Sequence, residues 1–288
     1  MKSKKLKKWT TLLTCATALT VMTACSQSSS QSTGTTSSTT SKTSAVTVTT
    51  SKKTNKNNSN YFTSKDSDTS YNESSATKIK LSGSSADVSG DGAALSGSTV
   101  TISKAGTYVI SGKSDGVQIK VDAGDSDDVH IVLDGVTMTN TNAAINATKA
   151  GHVYLTLKDG TTNTLSDSSS NSDEDADAVI FSKGDLTING TGTLNIDAKK
   201  NNGIKANDSL HITGGTYKIS SVGDAFNVND ELNITGTTMT IEAEEDGVKV
   251  DNDDDTSVGT MYLSDNTMTI KAGDDGIHAS GDLIIDSG

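Results

Sequence analysis

The sequence predicts an all-β fold, a parallel β-helix with coils of about 22 residues and three short strands per coil. Three observations point there. First, a phrase of Asp or Asn, then Gly or Ala, then an apolar residue occurs seven times and is read as in register from coil to coil, starting at Asp115, Asn142, Asp177, Asn202, Asp224, Asp246 and Asp275. Second, runs such as residues 99–103 and 107–111 alternate apolar and polar side chains between glycines, the period of half-buried strands, and helical periodicity is absent after the first 24 residues. Third, three strand signals recur in each coil: GIKA, LHIT and TYKIS after Asn202, then AFNV, LNIT and TMTIE after Asp224.

Taken in order, residues 1–24 form a secretory signal. Lys2, Lys4, Lys5, Lys7 and Lys8 precede an apolar stretch over 9–22 that is too short and too Thr-rich to span a membrane stably. Its end, MTAC, resembles the lipobox of bacterial lipoproteins. That likeness implies cleavage before Cys25, a lipid thioether on its sulfur, and anchorage to the outer face of the plasma membrane. Met22 stands where Leu is usual, so plain secretion is the alternative. Cys15 leaves with the signal and one cysteine remains, so no internal disulfide can form. Residues 25–78 read as a disordered tether, since 28 of the 51 residues over 26–76 are Ser or Thr and little there can be buried. Tyr61, Phe62 and Tyr71, isolated in such a tract, are expected to be exposed.

The β-helix is expected over residues 79–288. Strand alternation stacks Ile204, Phe226, Val248 and Ile277 inward as one column, Leu210, Leu232, Met261 and Leu283 as a second, and Leu194, Tyr217, Met239 and Met268 as a third. Tyr217 is therefore read as core. Acidic insertions over 167–176 and 251–259 interrupt the coils. The chain reaches Gly288 within a coil, and the sequence is expected to continue beyond it.

The formal net charge is −12 and Arg is absent. Between Asp167 and Asp286 lie 24 of the 36 acidic residues beside seven Lys, a balance that repels nucleic acid and attracts divalent cations. The later turns are the most acidic, with Asp224, then Glu244, Glu245 and Asp246, then Asp274 and Asp275. Stacked coils would bring these carboxylates to roughly 5 Å spacing, each like-charge neighbour costing ~1 to ~3.5 kcal/mol. Hard oxygen ligands in turns point to Ca²⁺. The competing account makes Asp and Asn turn formers whose side chains accept backbone N–H groups, and it is preferred for Asp115, Asn142 and Asn202. Asp173, Asp175 and Asp177, and likewise Asp251, Asp253 and Asp255, imitate the start of an EF-hand loop without its Gly and final Glu.

Parity sends Lys205, Asn227, Lys249 and His278 outward beside the acid column. They form a candidate ligand strip for a uronate carboxylate and sugar hydroxyls, or a solubilising surface. Tyr154 and Tyr262 also point outward, too far apart for a broad stacking platform. His130, His152 and His211 are read as ordinary surface residues.

The succession of TISKAGTYVISG, DGVQIKVDA, VHIVLDGVTMTN, AAINATKAGHVYLTLKDGTTNTLSD and DADAVIFSKGDLTINGTGTLNI over residues 101–196 resembles the bacterial carbohydrate-binding domain family of secreted β-helix proteins. The resemblance implies a right-handed parallel β-helix of pectate-lyase-like shape, bound calcium, and binding of cellulose or acidic sugars such as polygalacturonate without demonstrated cleavage. The expectation is a cell-surface polysaccharide binder. A β-helical lyase or hydrolase is one alternative, although a lyase would lack the Arg that one large class uses as base. A structural adhesin without a sugar site is the other.

Overall fold

A computed structural model describes residues 45–49 and 58–288, apart from Asp253 and Thr256. The signal, Cys25 and the rest of the Ser/Thr-rich tract lie outside the described residues. The fold is the parallel β-helix that the repeats demand. First strands of successive coils make a nine-stranded sheet, and second and third strands together make a sixteen-stranded one. The coil read from the sequence is present as Asn202–Ala206, Ser209–Thr213 and Thr216–Ser221. Each strand pairs in parallel with its counterpart one coil on, Phe226–Val228, Glu231–Thr235 and Thr238–Ala243.

The three predicted columns form in register. Ile204, Phe226, Val248 and Ile277 are successive cross-strand partners, and the first three are fully buried. Leu210, Leu232, Met261 and Leu283 form the second column, and Leu194, Tyr217, Met239 and Met268 the third. Each fully buried side chain of this size contributes about 1.5–3 kcal/mol, which lets the solenoid stand without staples. Tyr217 is in the core, its hydroxyl donating to the Gly214 carbonyl at 3.0 Å so that no buried polar group is orphaned there.

In two of the later phrases the second position is glycine because the next coil lies against it. A Cβ on Gly203 would sit 2.6 Å from the Ala225 carbonyl oxygen, and one on Gly247 2.6 Å from that of Gly276.

Several expectations need correction. The seven phrases do not align residue for residue: Ile119, Ile145, Ile180 and Ile204 are cross-strand partners, so Asn142 and Asp177 lie three residues before their column, Asp115 four, and Asn202 two. Early coils also merge the second and third strands. Asp128–Thr139 is continuous and pairs with both His152–Leu157 and Thr162–Ser166. Two antiparallel hairpins, Thr77–Gly83 with Ser85–Ser89 and Ala93–Ser96 with Thr99–Ile102, close the N-terminal end of the solenoid. At the other end the backbone of Ala45–Thr49 pairs antiparallel with Thr267–Lys271.

The largest difference concerns residues 58–78, expected to belong to the tether. Residues 58–76 pack as a strap along the outward face of the second strands, and the first hairpin starts at Thr77. Tyr61 and Phe62 are half-buried there, with Tyr61 stacked on Tyr262 at 3.7 Å between centroids. Composition concealed this because a few anchors hold the strap, while most of its Ser and Thr remain exposed.

Candidate functional site

The acid column exists, and its carboxylates are used in a specific way. Asn202 Oδ1 accepts the N–H of Asp224 at 2.9 Å, Asp224 Oδ1 that of Asp246 at 2.9 Å, and Asp246 Oδ1 that of Asp275 at 2.8 Å. This is a ladder of side chain to backbone bonds running from coil to coil, with Asp224 2% and Asp246 6% exposed. The turn-former account therefore holds for Asn202 and extends to Asp224 and Asp246. Among the described residues no three His, Cys, Asp or Glu side chains converge as a metal centre requires. The six residues proposed for Ca²⁺ thus do not make an all-protein cage. Glu244, Glu245, Asp274 and Asp275 remain exposed, and Glu244 lines an open groove of about 570 Å³ with Lys199, Val222, Glu242 and Lys271.

The outward strip also forms. Lys205, Asn227, Lys249 and His278 are successive cross-strand partners on the first-strand sheet. Each reaches toward an acid: Lys205 Nζ to Asp177 at 2.8 Å, Asn227 Nδ2 to Asp224 at 2.6 Å, Lys249 Nζ to Asp246 at 3.8 Å and His278 Nδ1 to Asp275 at 3.5 Å. Strip and ladder are therefore one structure, in which donors on the strand offset the stacked carboxylates. Lys205 is firmly engaged, whereas Lys249 and His278 are held at longer range.

The row continues into residues that sequence reasoning passed over. Lys205 pairs with Phe181, and Phe181 with Asn146. The acidic insertion folds over these two. Its root is Asp167, fully buried, accepting the Lys199 N–H at 2.6 Å and the Asn171 amide at 3.2 Å. Burial pushes the Asp167 carboxyl above its ordinary value despite those bonds. Asp173 Oδ1 accepts the N–H groups of Asp175 and Ala176, so the EF-like spacing here builds a turn. Similarly, Asn252 Oδ1 accepts the N–H groups of Asp254 and Asp255 in the second insertion. A cavity of about 400 Å³ lies under the first insertion, lined by Asn146, Thr148, Asp173, Asp175, Phe181, Lys183 and Asn207 among others.

The second-strand face is a buried polar network, contrary to its reading as plain surface. Asp66 of the strap is 2% exposed and accepts from Thr187 Oγ1 at 2.7 Å, while its carbonyl accepts from Thr213 Oγ1 at 2.6 Å and Asn189 Nδ2 at 3.2 Å. His211 sits between acids, Nδ1 3.2 Å from Asp66 and Nε2 3.2 Å from Glu231. Burial alone would lower the His211 pKa, but the two carboxylates outweigh it and push it up to about 9. Burial likewise works against ionised Asp66, and the contacts from His211, Thr187 and Thr63 outweigh it, holding the carboxyl well below its usual range. His130 and His152, bonded to Thr156 and Thr187, are lowered by burial. Tyr262 is 2% exposed under Tyr61, and Lys65 lies 5.6 Å from the Tyr154 ring centre, so neither tyrosine offers a bare face to a sugar.

Residues 96–288 match the model of a family described as carbohydrate-binding domain-containing protein. The chain belongs to that family. A carbohydrate-binding domain-containing protein of Acetivibrio thermocellus is 38% identical over 137 residues, 46% of this chain and 48% of that protein. The chain thus spans about half the length of this curated relative. Among solved structures, a polysaccharide lyase-like protein from C. thermocellum, in its gadolinium derivative, superposes with a TM-score of 0.68 at 30% identity, covering 74% of this chain and 98% of that one. The carbohydrate-binding domain therefore has the fold of a lyase-like protein, as the resemblance implied.

Proposed function

We propose that this carbohydrate-binding protein holds polysaccharide, acidic or cellulosic, without cleaving it, outside the cell on a tether lipidated at Cys25. The observation carrying the reading is the row Lys205, Asn227, Lys249 and His278. Hydrogen-bonding side chains repeated at the coil spacing offer a repeating polymer a repeating surface. Lys249 would take a uronate carboxylate, Asn227 and His278 would bond hydroxyls, and Lys205 would hold the turn with Asp177.

The lyase-like relative favours an enzyme as second reading. Two features weigh against it here. Arg is absent from the chain, and the ladder carboxylates are engaged by backbone N–H groups along the helix axis, where a hydrolase sets two carboxyls on either side of a sugar. Calcium belongs to the proposal as an ion shared between the exposed Glu244, Glu245 and Asp274 and an acidic ligand, which would supply the missing oxygens.

Affinity electrophoresis in gels containing polygalacturonate or a soluble cellulose derivative, with and without calcium, tests the reading. Retardation without release of unsaturated or reducing ends is expected. Product release would establish the enzyme, and failure to bind either polymer would leave the spacer alternative standing.

A further inference from the structure

The strip does not run unchanged along the sheet. Side-chain exposure falls from 36% at His278 through 29% at Lys249 to 21% at Lys205, and Phe181, next in the row, is 4% exposed. Phe181 packs with Ala143, Ala176 and Ala178, so the acidic insertion closes the row at this coil. Beyond it lies Asn146, 8% exposed, whose Oδ1 has no hydrogen-bond partner among the described residues. A buried acceptor left without a donor is destabilising, and a bound group that donates to it would relieve that cost.

The surroundings of this acceptor describe what would satisfy it. The cavity of about 400 Å³ is in the range of small-ligand clefts, and its lining sets the polar groups of Asn146, Thr148, Asp173, Asp175, Lys183 and Asn207 beside the apolar Phe181 and Ala176. Asn146 Oδ1 and the Asp175 carboxylate demand donors. Lys183, exposed and without an ion pair among the described residues, and the amide of Asn207 offer donors in return. A compact group with several hydroxyls, both donating and accepting, meets all of these at once, and a single pyranose ring is such a group. A bare cation would satisfy Asn146 and the acids but would face Lys183.

We propose that this cavity is the end-stop of the strip and receives the terminal sugar residue of a polysaccharide chain, so that the protein recognises chain ends. The inference rests on the strip being the polysaccharide site. The polymer lies along His278, Lys249, Asn227 and Lys205, and its last ring enters beneath the 167–176 insertion, whose closure over Phe181 stops the chain from continuing.

Isothermal titration of the full chain with oligogalacturonides and cello-oligosaccharides of graded, defined length tests this. Chain-end recognition gives one protein per oligosaccharide at every length. Stoichiometry that climbs with length overturns the end-stop and leaves strip binding intact, whereas absence of heat with every oligosaccharide overturns the strip reading itself. Asn146→Leu supplies the second arm. Affinity for the shortest binding oligosaccharide should fall ~10-fold or more, the loss of one good hydrogen bond, while Tm stays level or rises because the orphan acceptor is gone. Unchanged affinity in a folded Asn146→Leu protein overturns the proposal. If that variant does not fold, the stoichiometry of the unmodified chain decides alone.

Discussion

Asp66→Asn should loosen the strap and move its pH dependence. His211 is raised from an ordinary value near 6.5 to about 9. At 1.36 kcal/mol per unit, the protonated imidazole stabilises the folded state by about 3 kcal/mol, shared between Asp66 and Glu231. A group raised on folding contributes fully below its unfolded pKa and loses the contribution as pH rises through the folded one. Urea stability of the natural chain should therefore decline between about pH 6.5 and 9. Asp66, depressed on folding, acts in the opposite direction: its contribution is present above its ordinary value of about 4 and disappears as pH falls below it. The strap is thus most secure between about pH 4 and 6.5. Replacing the carboxylate by an amide removes one of the two acids on His211 and is expected to cost ~2 kcal/mol at pH 6, with the alkaline decline still starting near pH 6.5 but complete at a lower pH than in the natural chain. Urea denaturation at pH 6 and 9, with an NMR titration of the imidazole, measures both. Titration of His211 near 6.5 in the natural chain, or an Asp66→Asn protein of unchanged stability at pH 6, would refute the reasoning.

Other substitutions probe the ladder and the close approach between coils. Asp224→Ala removes the acceptor for the buried Asp246 N–H and should cost ~1–3 kcal/mol in urea unfolding, while Asp224→Asn, which keeps an oxygen there, should cost much less; equal losses would show that charge matters more than the bond. Gly247→Ala places a Cβ against Ile270 Cγ2 and the Gly276 carbonyl, and overpacking of ~1–3 kcal/mol should appear as a lowered urea midpoint. Chelator should leave the Tm of the glycan-free protein unchanged, because the ladder meets its hydrogen-bonding needs from the chain itself, and should weaken only binding of acidic glycan; a marked fall in Tm would place a structural ion in the turns.

What the sequence reveals and conceals follows from range. Inward columns were legible because parity within a strand and identity of coil length leave Phe226 or Met239 one place to go. The ladder was legible as a column but not as a set of bonds, since Asp supports a turn or a cation equally well until the N–H of the next coil is seen 2.9 Å away. The strap was hidden because its decisive contacts span well over a hundred residues, Asp66 to Thr187 and Tyr61 to Tyr262, and no local pattern announces them. One signal was present in hindsight: His152, Thr187, Asn189, His211 and Asn233 concentrate hydrogen-bonding groups on outward second-strand positions more densely than solubility requires. The register error in the early phrases has a similar cause, for an Asp-Ala or Asn-Ala pair marks a turn without fixing how many residues separate it from the strand.

Closing one face decides how the other can recognise sugar. Stacking on aromatic rings is the usual way to hold a flat neutral glucan, and the strap covers Tyr262 and places Lys65 over Tyr154. The open strip offers an amide, an imidazole and ammonium groups instead, so acidic polysaccharide should be preferred to cellulose. Yet the protein as a whole carries a net charge of −12 and repels such a ligand at long range. The two effects differ in their sensitivity to salt. Long-range repulsion is screened once the Debye length falls to ~8 Å near 0.15 M, while contacts at Lys249 persist until the length approaches ~3 Å near 1 M. Binding of polygalacturonate should therefore strengthen as salt rises from ~0.01 M toward 0.15 M and weaken again toward 1 M. Lys249→Met should flatten the high-salt fall and leave the low-salt rise in place. Affinity that declines monotonically with salt, or tight cellulose binding indifferent to it, would mean that recognition rests on surfaces other than this strip.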